Sequence, residues 1–361
     1  MKKIRVHVID DSASVRMVLT ELLNNDPGIE VIDSSSDPII AKAKLQRRWP
    51  DIFILDIEMP RMDGITFLKE IMSTHPTPVV ICSSCTRDNA RMTLQALSAG
   101  AVDIISKPET GIKDFFYESA LVLIDTVKSA SGANVRKLPL PPVKMPAPPA
   151  GVDSVTGPLR RAPAGNIKHD AIIAIGASAG GTQAIEAVLK DLPADTPGIV
   201  VVQHMPEHFT RAYADRLDTV CEIHVEEARD GTPITNGQAL IAPGNRHLMV
   251  ERKAAGYGAV VKEGPLISRH RPSVDVLFRS IANNAGKNAL GVILTGMGDD
   301  GAVGMLEMHQ SGAYTIAQDK ETSVVYGMPY QALKQGGVDQ VAPLTKISEL
   351  IHQFTRGELA K

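Results

Sequence analysis

Short apolar runs and longer amphipathic stretches alternate along the chain, and the alternation breaks only once, in a proline-rich stretch around residue 145. Apolar runs at 4–9, 30–34, 52–55, 79–82 and 102–105 predict strands, and 14–24, 38–48, 65–74, 89–99 and 113–128 carry helical spacing. Five strands alternating with helices predict a parallel sheet covered on both faces. The pattern resumes with an apolar run from Ala171 that ends on glycine and small residues around Ser178, followed by a helix over 182–189. Further strands are expected at 198–202, 222–225, 239–242, 247–251, 259–261, 290–294, 314–317 and 338–341. This half is expected to be a second, larger doubly wound α/β domain with a β-ribbon insertion around 222–262. No internal repeat relates the halves.

Between Ser131 and Lys168 there are eight prolines, no aromatic residue and one acid, Asp153. Such a stretch cannot bury a core, so it is expected to be a partly extended linker. The expected division is a first domain over 1–128, a linker over 129–168 and a second domain over 169–361.

Composition narrows the function classes. The 361 residues are 43% hydrophobic and 22% charged, with a net charge of −3, which gives no reason to expect nucleic acid or an anionic membrane as partner. Asp10 interrupts the N-terminus before a signal-peptide core develops, and no apolar run reaches the ~18 residues of a membrane span. A cytoplasmic protein with no membrane insertion is expected. Cys82, Cys85 and Cys221 cannot all pair, and Cys82-x-x-Cys85 has no second pair to complete a zinc site. Buried, inert thiols are expected.

Chemistry concentrates where predicted strands end, as it does in open parallel sheets. In the first half Asp10 and Asp11 end the first strand, Asp56 ends the third, Ser83 follows the fourth and Lys107 the fifth. Three converging carboxylates repel one another unless a cation lies among them, and oxygen-only ligands favour a hard ion such as Mg²⁺. A lysine and a hydroxyl nearby suit a phosphoryl group on one carboxylate. Any one aspartate taken singly would suit a loop cap or a solvated turn equally well.

In the second half Ser178 sits where a strand turns into a helix, in the pattern G-A-S-A-G. That corner lifts a hydroxyl clear of the sheet beside the N–H groups that open the helix. The competing use of its small residues is close helix packing; a dinucleotide fingerprint would need glycine at Ser178. His204 ends the strand at 198–202, and Asp299 and Asp300 follow the strand at 290–294. Serine, histidine and aspartate at the ends of parallel strands can meet: neutral imidazole takes the serine proton and a buried carboxylate orients the ring. The order Ser, His, Asp differs from that of the α/β-hydrolases.

Two resemblances draw these residues together. Asp10-Asp11, I-L-D-I-E-M-P-R-M-D-G at 54–64 and S-K-P at 106–108 resemble a response-regulator receiver domain, flavodoxin-like in fold. The resemblance implies that Asp56 is the phosphoacceptor, that Asp10, Asp11 and Asp56 hold Mg²⁺, and that Ser83 and Lys107 contact the phosphoryl group. The chain departs at Ile104, where many receivers carry an aromatic ring that reports activation. G-A-S-A-G-G, V-Q-H-M-P, I-A-P-G-N-R-H at 241–247, R-H-R-P-S-V-D at 269–275 and L-T-G-M-G-D-D-G-A together resemble the Rossmann-like catalytic domain of the chemotaxis protein-glutamate methylesterases, the CheB family.

That second resemblance implies Ser178 as nucleophile, His204 as general base and Asp300 as its orienting partner, with Asp299 in the pattern's variable place. It offers the backbone N–H groups of Ala179 and Met297 as an oxyanion hole. The implied activity is phosphorylation-controlled hydrolysis of glutamate γ-methyl esters on chemoreceptors, releasing methanol, with glutamine deamidation as a related reaction. A chemotaxis histidine kinase would be the phosphodonor, the catalytic domain would need no cofactor, and the receiver would pack on the methylesterase face. The R-P-S-V-D segment has no role derived from sequence. Two rival readings are a receiver joined to an anion-binding module, separable by ester hydrolysis, and a DNA binder, for which there is neither a basic stripe nor a helix-turn-helix.

Overall fold

The computed structural model describes residues 2–84, 87–107, 116, 120–135 and 170–359. The proline-rich stretch from 136 lies outside the described residues, as do positions 113–115 and 117–119 of the helix expected at 113–128.

The first sheet contains β1 (Ile4–Ile9), β2 (Ile29–Ser35), β3 (Ile52–Leu55), β4 (Val79–Ser84) and β5 (Asp103–Lys107), all parallel, in the order β2-β1-β3-β4-β5. Helices α1 (Ala13–Asn24), α2 (Pro38–Leu45), α3 (Gly64–Thr74), α4 (Arg87–Ser98) and α5 (Ala120–Ser131) connect or follow the strands. The first three begin on side-chain caps: Ser12 accepts from Val15 N, Asp37 from Ile39 and Ile40 N, and Asp63 from Thr66 N. Strand order reverses between β1 and β3, so the loops carrying Asp10, Asp11 and Asp56 face one crevice. Helix α5 continues past residue 128, where the first domain was expected to end.

The second sheet is parallel throughout, in the order β15-β14-β13-β6-β7-β10-β8. Its strands are β6 (Ile172–Ala177), β7 (Gly198–Gln203), β8 (His224–Glu227), β10 (Gln238–Ile241), β13 (Ala289–Ile293), β14 (Tyr314–Gln318) and β15 (Gln340–Ala342). The ribbon is narrower than expected. Only β11 (His247–Lys253) and β12 (Gly256–Lys262), joined by the short β9 (Pro233–Ile234), form the antiparallel sheet. β8 and β10 instead extend the parallel sheet, because Ala239, Leu240 and Ile241 are apolar on both faces and fully buried.

The second half's helices are α6 (Gly181–Lys190), α7 (Phe209–Asp218), α8 (Val274–Asn284), α9 (Ala302–Gln310), α10 (Met328–Lys334) and α11 (Leu344–Thr355). Connections run outward in opposite directions from β6 and β13, which makes the crevice between them the switch point of this sheet.

The halves touch. Helix α4 packs on α6 and α7, with Leu94 and Leu97 in one apolar cluster with Ala184 and Phe209. Gly180 N donates to Val102 O at 2.9 Å and Asn134 N to Val324 O at 2.8 Å. The Gln183 amide donates to Leu97 O, and Arg269 pairs with Asp125 at 2.5 Å. The Gly180 bond takes up the Val102 carbonyl, and β5 begins one residue later than its apolar run.

Candidate active site

All six residues of β6 are buried, and at Gly176 an added Cβ would lie 2.3 Å from Val274 Cγ1, so only glycine lets α8 approach this closely. Past the strand, Ser178 N donates to Thr295 O at 3.1 Å and Ser178 O accepts from Gly181 N at 2.7 Å. Thr295 Oγ1 donates to Ala179 O at 2.9 Å. The corner is therefore held on both sides by backbone. Gly180, at φ +72°, makes the turn into α6 in a left-handed conformation that costs glycine little. Among the described residues the N–H groups of Ala179 and Met297 donate to no protein acceptor.

His204 follows β7, its N–H donating to Ala177 O at 3.1 Å. Its ring Nε2 lies 2.8 Å from Asp300 Oδ2, while its buried Nδ1 has no partner among the described residues. Asp300 is 1% exposed and accepts from Ser273 Oγ at 2.7 Å, Val274 N at 2.7 Å and Asp275 N at 3.0 Å. Burial would push this carboxyl up, but the bond to His204 and its charge, with the N–H groups opening α8 and the Ser273 hydroxyl, hold it below the usual range. Asp299, next to it, is exposed.

The structure thus brings together His204 and Asp300, with Ser178 lining the same small cavity as His204. It shows no hydrogen bond between Ser178 and His204. The R-P-S-V-D segment, to which the sequence assigns no role, forms the cap of α8 that cradles Asp300. Its signal is present: Ser273 before an apolar helical run is an N-cap pattern, and it accepts from Val276 N.

The first domain closes this site. Leu97, Val102, Asp103 and Ile104 join Ser178 and His204 around a cavity of about 10 Å³, room for roughly one water and not for a side chain. Ser178 is only 6% exposed. Burial pushes the Asp103 carboxyl up to about 6, against the opposing pull of nearby His204. A roomier cavity of about 550 Å³ lies between the ribbon and α8, away from Ser178.

At the other sheet edge Asp10, Asp11 and Asp56 each offer an oxygen within 4.8 Å of the others. Lys107 Nζ bonds both Asp10 oxygens at 3.0 Å and Asp56 Oδ2 at 2.9 Å. Burial, and then the Asp56 charge, push Asp10 up to about 6; burial also raises Asp56. Burial works against the Lys107 charge, but Asp56 and Asp10 outweigh it and raise its pKa. An all-oxygen, carboxylate-rich and partly open set fits a hard divalent cation. Ser83 is buried on β4, its hydroxyl accepting from Thr93 at 3.0 Å. Cys82 is buried, Cys221 is half-buried with its thiol raised to about 11 by burial, and Cys85 lies outside the described residues.

A flavodoxin-like sheet with this carboxylate edge, docked on a second parallel sheet with serine, histidine and aspartate at its switch point, defines a response regulator with an enzymatic output domain. The chain belongs to the CheB methylesterase family: residues 173–351 match that family and residues 6–113 match the response regulator receiver domain. It is 53% identical to protein-glutamate methylesterase/protein-glutamine glutaminase 2 of Rhizobium johnstonii, over 96% of this chain and 97% of that one. To the protein of the same designation in Dechloromonas aromatica it is 56% identical, over 96% of each. The Thermotoga maritima CheB methylesterase catalytic domain superposes with a TM-score of 0.50 at 38% identity, covering 51% of this chain and 98% of that one.

Proposed function

We propose that the chain hydrolyses γ-methyl esters of glutamate on methyl-accepting chemoreceptors, and deamidates glutamine there, in the cytoplasm under control of a chemotaxis histidine kinase. Its relatives carry both activities in their designations, and no helix among the described residues is long and apolar enough to cross a membrane.

The observation that carries the chemistry is the pairing of His204 Nε2 with Asp300, which leaves Nδ1 as a buried, unpartnered ring atom. A proton on Nε2, donated to the carboxylate, makes Nδ1 the basic nitrogen. Ser178 Oγ attacks the γ-carbonyl carbon and its proton passes to Nδ1, while Asp300 supports the resulting imidazolium. The oxyanion is received by the free N–H groups of Ala179 and Met297. The tetrahedral species collapses as His204 protonates the departing methanol, or ammonia from glutamine. Water then attacks the acyl-serine by the same route, releasing the glutamate carboxylate and restoring Ser178. The lack of a Ser178–His204 hydrogen bond suits a site still covered by its receiver, since catalytic bonds often tighten only with substrate bound.

In the receiver, Asp10, Asp11 and Asp56 would hold Mg²⁺, which when bound offsets the charge of a phosphoryl group arriving on Asp56. Lys107 pairs with that phosphoryl group, and the Ser83 hydroxyl, which accepts from Thr93, keeps its own O–H to donate to it. About −1.5 to −2 of added charge at this edge favours a rearranged, undocked receiver. The domains remain divided at 1–128, 129–168 and 169–361 in this reading; the family matches at 6–113 and 173–351 fall within the first and last, and α5 runs three residues past the first bound.

Ser178→Ala is expected to fold, accept phosphoryl on Asp56 and release no methanol beyond a small residual rate. Methanol release from methylated receptor at the wild-type rate by the pure variant would end this reading.

A further inference from the structure

Between the ribbon and α8 the chain makes a tight turn whose ends are Ile267 and His270, bonded N to O in both directions at 3.0 and 2.8 Å. The two residues inside it, Ser268 at φ +48° and Arg269 at φ +68°, are both left-handed. Non-glycine residues seldom adopt that conformation, and strained backbone gathers at functional sites. The turn delivers two side chains. Arg269 reaches out to Asp125 of the receiver, and His270 lies flat on the ring of His204, centroids 3.7 Å apart and planes inclined by 9°.

A ring held through one hydrogen bond can still swing about that bond. Asp300 fixes the position of His204 Nε2, but not the plane of the imidazole, and hence not the direction of Nδ1. The flat contact with His270 supplies the missing constraint. It also hinders a half-turn of the His204 ring about Cβ–Cγ, which would carry Nδ1 and Nε2 to the places of Cδ2 and Cε1. Among the described residues the ring nitrogens of His270 bond to no protein group, so its contact with His204 is made through the ring face. Burial, and then the charge of His204, push the His270 pKa down to about 3, so it remains a neutral plate at neutral pH. A neutral aromatic face accepts both protonation states of its neighbour and attracts the cationic one.

We propose that His270 is a positioning residue for the esterase reaction, fixing the plane of the His204 imidazole so that Nδ1 addresses Ser178. The inference rests on His204 being the general base. His204→Gln tests that separately: an active His204→Gln enzyme removes the base assignment itself, whereas loss of activity there leaves the His270 question intact.

The test uses the full chain with a small-molecule phosphodonor, measuring methanol release from methylated receptor for wild type, His270→Ala and His270→Phe. Misplacing a catalytic group by about 1 Å can cost about 10²-fold, so His270→Ala should lower kcat by roughly 10 to 100-fold with KM nearly unchanged. His270→Phe, which keeps the plate and drops the nitrogens, should restore most of that loss. If the alanine chain lacks a native thermal transition, His270→Leu, which fills the space without a ring, takes its place. A kcat close to wild type in the ringless variant, a loss carried by KM, or a phenylalanine variant no better than the ringless one overturns the proposal.

Discussion

Asp299 and Asp300 are neighbours in sequence and opposites in surroundings. Asp300 is buried with three donors besides His204, whereas Asp299 is exposed and contributes its carbonyl to Ala302 N at 3.0 Å. The Asp299 side chain caps nothing: α9 starts at Ala302, with Gly301 at its N-cap and no side-chain cap. Asp300→Asn should therefore lower turnover by about 10⁴, as the loss of the orienting carboxylate does in a serine protease by leaving the histidine in the wrong tautomer. Asp299→Asn should change stability by no more than about 0.5 kcal/mol. Steady-state kinetics with the large loss at Asp299 instead would refute the assignment. Ser178, His204 and Asp300 were legible because each ends an apolar strand, and parallel strands bring their ends together. Ser273 and His270 were not. Their partners are set by how α8 and the turn before it lie on the sheet, and Ser273 meets a carboxylate 27 positions away.

Elements were legible wherever one face or both faces are apolar. β3 lies where its apolar run predicts, and α1 and α3 begin within one residue of expectation, next to their caps. β9 escaped because two residues carry no period, and β8 was drawn into the ribbon because nothing local distinguishes a parallel edge strand from a hairpin arm. β1 also carries an exception to its own pattern. His7 is fully buried, with Nε2 2.9 Å from Ser35 Oγ, Nδ1 without a partner among the described residues, and its ring beside Phe53. Burial lowers its pKa to about 4. Below its unfolded value of ~6.5 the unfolded chain binds a proton that the native strand refuses, so the full stability holds above that pH. Stability then falls toward pH 4, by roughly 3 kcal/mol from this group alone. His7→Gln can keep a bond to Ser35 and does not titrate. Thermal melts between pH 7 and 4 should fall less steeply for the variant, and identical slopes would clear His7 of the effect.

The arrangement of the whole molecule could not be read from the sequence, because what joins the halves is ordinary: apolar residues of α4, and a main-chain bond from Gly180 to Val102 with no side-chain signature. The expectation that the receiver packs on the methylesterase face agrees with the contact observed. A fragment from about Gly165 to Lys361 should release methanol faster than the unphosphorylated full chain. The solved Thermotoga maritima catalytic domain, a comparable piece, stands without its receiver. A well-folded fragment with equal or lower activity would instead mean that the receiver activates by contact.

Because Ser178 lies under Val102 and Asp103 with 6% of its surface exposed, its hydroxyl can serve as a clock for domain separation. An electrophile that acylates active-site serines reaches it only when the halves part, in the way that solvent protons reach a buried amide only through local opening. At low reagent the labelling rate then scales with the open fraction, and at saturating reagent it levels off at the rate of parting itself. A phosphodonor should raise both labelling and methanol release in the same proportion at low reagent. If methanol release rises while labelling stays slow, phosphorylation speeds a step of the chemistry and leaves the door where it was.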